Sequence, residues 1–154
     1  MNNYANIGKD IFVIDKYFKL HFKTELKKYS LNTAEGMVLL ALYEEDMKTE
    51  GEIFLSIHKC NMGMTQEQII DVIHYDKGVI ARTMQSLENK GYVIRNQNPQ
   101  DSRSFIFSLT SNAKEFKPTL INILKDWTIK LLSGIDNIDY IKDALSKMKD
   151  NIMK

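Results

Sequence analysis

From Ile7 to Lys28, the apolar residues Ile7, Ile11, Ile14, Phe18, Phe22 and Leu26 recur at spacings of three and four. Lys9, Lys16, Lys19, Lys23 and Lys27 fill positions opposite them. Such a pattern predicts one long amphipathic helix. A second helix starts near Thr33, read as its N-cap, and runs through Met37, Leu40 and Ala41 to about Glu45. Between Asp46 and Gly63 the periodicity fails. Gly51 and Gly63 bracket the apolar residues Ile53, Phe54, Leu55 and Ile57, which fit a short helix, a strand or a packed loop.

Regularity returns at Thr65, where Gln68 completes a capping box and Ile69, Ile70, Val72 and Ile73 supply the apolar positions of a helix. Asp76 is the N-cap of the next helix, Lys77 to Lys90, and Gly91 stops it. Two short helices joined by a few residues make a helix-turn-helix. Tyr92-Val93-Ile94, the polar stretch Asn96 to Ser102, and Phe105-Ile106-Phe107 then read as strand, turn and strand: a β-hairpin wing. Two helices close the chain, Ser111 to Leu132 and Ile138 to Met153, with Pro118 expected to kink the first or interrupt its opening turn. The fold class is mainly α with a small β-hairpin wing: a winged helix-turn-helix over about 33–110, flanked by terminal helices over about 5–29 and 111–153.

Composition narrows this picture in a few places. At 154 residues the chain suits a single domain. With 2 Pro and 7 Gly it favours long ordered elements. The single Cys excludes an intramolecular disulfide and fits a reducing, cytoplasmic setting. Lys9, Asp10 and Asp15 interrupt the N-terminal apolar stretch, so no secretory signal is read there, and the longest apolar run, Met37 to Tyr43, is too short to span a bilayer. A net charge of +1 neither demands nor excludes nucleic acid, so the local placement of cations has to decide. No Gly-rich phosphate loop, H-E-x-x-H or G-x-S-x-G pattern is present, and the sequence calls for no enzyme, cofactor or metal.

Local placement is informative on the Lys77–Lys90 helix. Ile80, Met84 and Leu87 share one face and must pack inward, leaving Gly78, Ala81, Arg82, Gln85 and Asn89 opposite. Arg and Gln side chains can pair bidentately with guanine and adenine edges in a major groove. The small residues Gly78 and Ala81 let the backbone come close to bases, and Lys77 in the first turn can reach a phosphate. The start of the preceding helix, at Thr65 and Gln66, offers free backbone N–H groups to another phosphate.

Asp101-Ser102-Arg103, five more positions and Leu109-Thr110 resemble the D-x-R-x5-L-T wing pattern of the MarR family of bacterial transcription factors. Thr65 to Gln68, Asp76-Lys77, Arg82 and Leu87 to Tyr92 resemble that family's helix-turn-helix, and the order of elements agrees along nearly the whole chain. The resemblance implies that Arg103 enters a minor groove with Asp101 supporting it. It also implies that the terminal helices, rich in residues such as Ile7, Ile11, Phe12, Trp127, Leu131, Ile138 and Leu145, form a homodimer. The implied partner is a pseudo-palindromic double-stranded DNA operator. A small anionic aromatic effector, bound between the DNA-binding lobe and the dimerisation helices, would release it. Gly78-Val79 stands where the family usually has Ser-Thr, so Val79 can meet a thymine methyl but two hydroxyl contacts are missing. Tyr17, Phe18, Tyr29, Met37 and Trp127 are read as ordinary core ahead of an effector pocket.

Two other functions fit the chain. Cys60, beside Lys59 and His58, suits a thiol redox sensor, although an incidental cysteine is the simpler reading. The near-neutral charge with Gly78-Val79 suits a winged-helix protein-interaction module without DNA binding. A zinc site from His58, Cys60 and His74 or Glu67 has no supporting spacing, and His21 reads as a packed or solvated residue.

Overall fold

The computed structural model describes residues 3–55 and 63–154, with the side chains of 48–55 left undescribed. The element order is α1 (Asn3–Lys27), α2 (Thr33–Leu55), β1 (Met64–Thr65), α3 (Gln66–Ile73), α4 (Lys77–Asn89), β2 (Val93–Asn98), β3 (Asp101–Leu109), α5 (Ser111–Leu131) and α6 (Ile138–Ile152). Helices with a small three-stranded antiparallel sheet, in strand order β1-β3-β2, make up the expected fold class.

Local chemistry explains where most helices start. Asn32, rather than Thr33, caps α2. Its side chain accepts from the Glu35 N–H at 2.9 Å, and the Glu35 carboxylate accepts the Asn32 N–H at 2.8 Å, forming a reciprocal capping box. Thr65, Asp76 and Thr110 cap α3, α4 and α5 through their side-chain oxygens. Past Glu45, α2 continues to Leu55. The polar run Glu44-Glu45-Asp46 interrupts the apolar period without stopping the helix, and Gly51 costs only about 1 kcal/mol there. Likewise α5 runs unbroken through Pro118, which lies beyond the opening turn and forgoes one backbone donor.

The wing strands are longer than the apolar pattern suggests. Most of the polar stretch read as a turn pairs as strand, leaving Pro99 and Gln100 as the turn. This ribbon projects beyond the core, so no buried face imposes apolar alternation on it. Strand β1 was not anticipated; Met64 and Thr65 pair with Phe107 and Ile106 on the inner edge of the wing. Gly63 makes that approach feasible. Its φ of +126° suits glycine, and a Cβ there would lie 2.4 Å from the Phe107 carbonyl oxygen.

One core joins all these elements except α6. Phe22 and Leu26 of α1 meet Val38, Leu39 and Leu42 of α2, and the cluster continues through Ile69, Ile80, Met84, Leu87, Val93, Phe107, Leu120 and Ile123. Each fully buried Leu or Ile contributes about 1.5–3 kcal/mol by leaving water. Helices α1 and α2 meet closely at Gly36, where a Cβ would lie 2.5 Å from Leu26 Cδ1. Tyr43 ties α2 to the start of α5 by donating to the Ala113 carbonyl at 2.6 Å, and burial pushes its hydroxyl pKa above the ordinary value. At the ends of the chain the picture reverses. Helix α6 has no buried residue, and Tyr4, Ile7, Ile11 and Phe12 of α1 are all exposed.

Candidate nucleic-acid interface

The helix-turn-helix is built as its capping residues dictate. Thr65 accepts the Gln68 N–H at 3.2 Å, and Gln68 accepts the Thr65 N–H at 2.9 Å. The Gln66 and Glu67 amides ahead of this bond have no intrahelical acceptor, as at any helix start. After Ile73 the chain turns through His74, whose φ of 60° places it in the left-handed region while its N–H still reaches the Ile70 carbonyl. Asp76 then accepts the Val79 N–H at 3.0 Å and opens α4.

Helix α4 buries Ile80, Met84 and Leu87, together with Thr83, whose hydroxyl returns to the Val79 carbonyl at 2.8 Å. Lys77, Gly78, Ala81, Arg82, Gln85 and Asn89 are exposed, as the helical period requires, and Val79 is half-buried. A Cβ on Gly78 would make only ordinary or slightly tight contacts, with Asp76 Oδ1 at 3.3 Å and Arg82 Nη1 at 3.5 Å. The bareness of that surface therefore comes from the residue chosen, not from a backbone requirement.

On the wing, pairing is regular from Val93↔Leu109 to Gln97↔Phe105, but Asn98 pairs with Asp101. The residues from Ser102 to Ser104 are thus looped out of the ladder as a bulge, which re-aims side chains. Arg103 is exposed on this bulge near the tip. Asp101 supports it through the main chain: its carboxylate accepts the Arg103 N–H at 3.0 Å. No ion pair between the two side chains is among those of the described residues. Gln97 and Asn98 close the bulge by donating to the Ser102 carbonyl and the Ser104 hydroxyl.

Arg95 was not singled out from the sequence. Its guanidinium lies 4.7 Å from the Phe105 ring centroid and 3.7 Å from Glu88 Oε1, so it links β2 to both β3 and α4. Strand parity was the available signal, because Val93 is buried and Arg95 shares its face. A groove of about 510 Å3 brings Thr65, Gln66, Lys77, Arg95, Asp101 and Arg103 to one concave surface between α3, the start of α4 and the wing. Arg82 lies elsewhere, in a second concavity of about 630 Å3 with Lys23, Asn32, Tyr75, Val79 and Ser86. Gln85 and Ala81 border a third of about 300 Å3, also lined by Gln66 and Arg95.

Behind α4 lies a polar cluster. Glu35 is fully buried, and its carboxylate accepts from Ser86 Oγ at 2.5 Å and from Lys90 Nζ at 2.8 and 2.9 Å. Lys90 also donates to the Ser30 carbonyl at 2.7 Å. Burial pushes the Glu35 carboxyl up, but the hydrogen bonds from Lys90, Ser86 and Asn32 outweigh it and hold the group below its ordinary value.

The aromatic set expected as core divides: Phe18 and Met37 pack on the core, Trp127 is half-buried, and Tyr17 and Tyr29 are exposed. Phe18 stacks on Phe22 at 5.5 Å and packs against Trp127 at 6.1 Å, and Tyr29 meets Phe116 edge-on at 5.2 Å. His21 packs on Trp127 with Nε2 3.3 Å from the Ile123 carbonyl. Cys60 and His58, the thiol and its neighbour, lie outside the described residues. Among the described residues, no group of three or more His, Cys, Asp or Glu side chains is placed to hold a metal ion, and no helix is long and apolar enough to cross a membrane.

Residues 21–120, from mid-α1 to mid-α5, match the family described as Transcriptional regulator SarA/Rot. The chain belongs to that family. Among curated proteins, this SarA/Rot regulator is 26% identical over 137 residues to the HTH-type transcriptional regulator BilQ of Clostridioides difficile, covering 89% of this chain and 82% of that one. It is likewise 26% identical over 144 residues to SarZ of Staphylococcus aureus, covering 91% and 86%. In structure it superposes on a MarR transcriptional regulator from Methanosarcina mazei Go1 with a TM-score of 0.81, at 28% identity and 97% coverage of both chains. The resemblance to MarR-type winged helices read from the wing and helix-turn-helix is therefore upheld. A MarR family regulator of Listeria monocytogenes solved with a 26mer DNA shares the fold, with a TM-score of 0.72, 23% identity and coverage of 94% and 87%.

Proposed function

We propose that this SarA/Rot regulator is a homodimer that binds a pseudo-palindromic DNA operator. Helix α4 would enter the major groove and the wing the adjacent minor groove. The observation that carries the reading is the outward row of Gly78, Ala81, Arg82 and Gln85 on a helix whose other face is locked into the core, beside a wing whose bulge presents Arg103. Arg82 and Gln85 read base edges, and Val79 meets a thymine methyl. Lys77 and the amides at Thr65 and Gln66 take phosphates, while Arg103 reads groove width, supported by Asp101. That other proteins of this fold have been solved with DNA supports the same docking.

Dimerisation through 5–29 and 111–153 is supported by the exposed apolar side chains of those helices. Phe12 is 68% exposed, Tyr140 69% and Leu145 59%, and α6 has no buried residue. A single winged-helix domain does not leave such surface to water without a partner. Two-fold symmetry then spaces the α4 helices about 34–36 Å apart, one turn of DNA. Repression released by a small anionic aromatic effector completes the reading, since Lys23 and Arg82 border one concavity beside α4.

Titration against its own upstream DNA at two salt concentrations, with Arg82→Ala and Arg103→Ala alongside, tests this. Tight, salt-sensitive binding by the wild type, weakened about 10- to 100-fold by Arg82→Ala, is expected. Binding that neither change alters refutes the residue assignments. A chain that retains no DNA from a random pool at low salt refutes DNA binding and leaves the protein-interaction reading.

A further inference from the structure

The buried cluster behind α4 has a consequence for recognition that its stabilising role does not explain. Glu35 is the one charged residue among the buried ones described. A carboxylate has about four lone-pair sites. Here all are used: Oε2 by the Asn32 N–H and Lys90, and Oε1 by Ser86 and Lys90. Lys90 is held at its other side by the carbonyl of Ser30, whose φ of 58° marks the left-handed turn between α1 and α2. The cluster therefore bolts the C-terminal end of α4 to the start of α2 and to the α1–α2 corner.

Apolar packing alone would allow α4 to slide or roll slightly, because dispersion contacts have no direction. Hydrogen bonds to a buried charge lose strength within a few tenths of an ångström and with poor angle. Glu35 is fully buried, while the Lys90 side chain stays 35% exposed. Such a pair adds little stability over an apolar pair of the same shape, but its directed bonds restrict the positions α4 can take. Ser86 stands one helical turn after Arg82 and directly follows Gln85. Any roll of α4 at Ser86 moves both.

We propose that Glu35, Lys90 and Ser86 form a positioning lock that sets the rotation and depth of α4, and through it the sequence discrimination of Arg82 and Gln85. The lock rests on the DNA-reading role proposed above. Its members touch no base; they act through α4.

The test pairs Glu35→Gln with Lys90→Met in one chain, which neutralises both partners together and avoids an unpaired buried charge; Ser86→Ala is the milder variant. Affinity is measured for an operator selected by the wild type from a random pool and for a scrambled duplex, with thermal melts as the control for folding. The lock predicts near-wild-type melting of the double variant and unchanged scrambled-duplex affinity. It also predicts a loss of about tenfold in the ratio between the two duplexes, in the usual range for coupling between separate sites. Ser86→Ala shifts that ratio the same way by less. An unchanged ratio overturns the lock. So does an equal loss on both duplexes with a shallower salt slope, which would make Lys90 a phosphate contact.

Amide exchange without DNA gives a separate decision. Residues 84–89 should exchange faster in the double variant while the core of α5 is unchanged; uniform exchange along the chain overturns the proposal. A wild type that selects no sequence refutes the DNA-reading role, and the exchange result still decides the lock.

Discussion

Gly36→Ala sets two effects of known size against each other. In the interior of α2, alanine is favoured over glycine by about 1 kcal/mol from backbone entropy. Against this, the new Cβ would lie 2.5 Å from Leu26 Cδ1 and 2.8 and 2.9 Å from Phe22 Cζ and Cε1. Ordinary carbon contacts sit at about 3.5–4.0 Å, so roughly 1 Å of separation has to be found. Both neighbours are fully buried and packed against the rest of the core, so neither can swing into solvent. Overpacking of this kind costs about 1–3 kcal/mol, and three contacts inside 3 Å place it in the upper part of that range. The expected net result is a loss of about 1–2 kcal/mol, a fall in melting temperature of roughly 3–6 °C for a chain of this size. Urea unfolding at matched protein concentration measures it, since the midpoint of the proposed dimer would depend on concentration. A double-mutant cycle with Leu26→Ala sharpens the reasoning. Shortening Leu26 removes the nearest obstacle, so Gly36→Ala should cost at least about 0.5 kcal/mol less in that background. Additive losses, or a Gly36→Ala chain more stable than the wild type, would refute the account of how α1 and α2 meet.

Three more outcomes are expected. Lys77→Ala should weaken binding to all duplexes alike and lower the slope of log affinity against log salt by about 1, as read by titration at several salt concentrations. Leu145→Asp should leave the fold intact by circular dichroism, since this side chain is 59% exposed in the protomer, but shift sedimentation from dimer to monomer. Glu35 has its pKa lowered from 4.5, so the stability it contributes is complete above that unfolded value and is lost as pH falls through its lower folded value. Melts of the wild type should therefore drop more steeply below about pH 4.5 than those of Glu35→Gln; parallel curves would show that Glu35 is not the titrating group.

The features legible in the sequence were those that chemistry settles within a few residues. The capping box at Thr65 and Gln68, the Asp76 cap and the inward stripe Ile80, Met84, Leu87 depend on spacing along one helix, and all appear where the pattern placed them. The exposed row of Arg82 and Gln85 followed from the same period, and the terminal helices were legible because their apolar stripes are long. The course of α2 past Glu45 was not, because a polar stretch and a glycine weaken a helix without ending it. Nor was the bulge that presents Arg103, since register in a polar ribbon has no buried face to record it.

Tertiary structure alone decided the pairings between distant segments. Lys90 and Glu35 stand 55 residues apart, Tyr43 and Ala113 stand 70, and Met64 finds Phe107 across two helices and a strand. Nothing in the local pattern of a glutamate three residues into a helix tells whether it will face water or a lysine from another helix. That outcome depends on the crossing of α2 and α4, which the whole core sets through side chains from nearly every element. Sequence therefore determined which residues lie on the outward face of α4, and the packing behind them determined what that helix is anchored to.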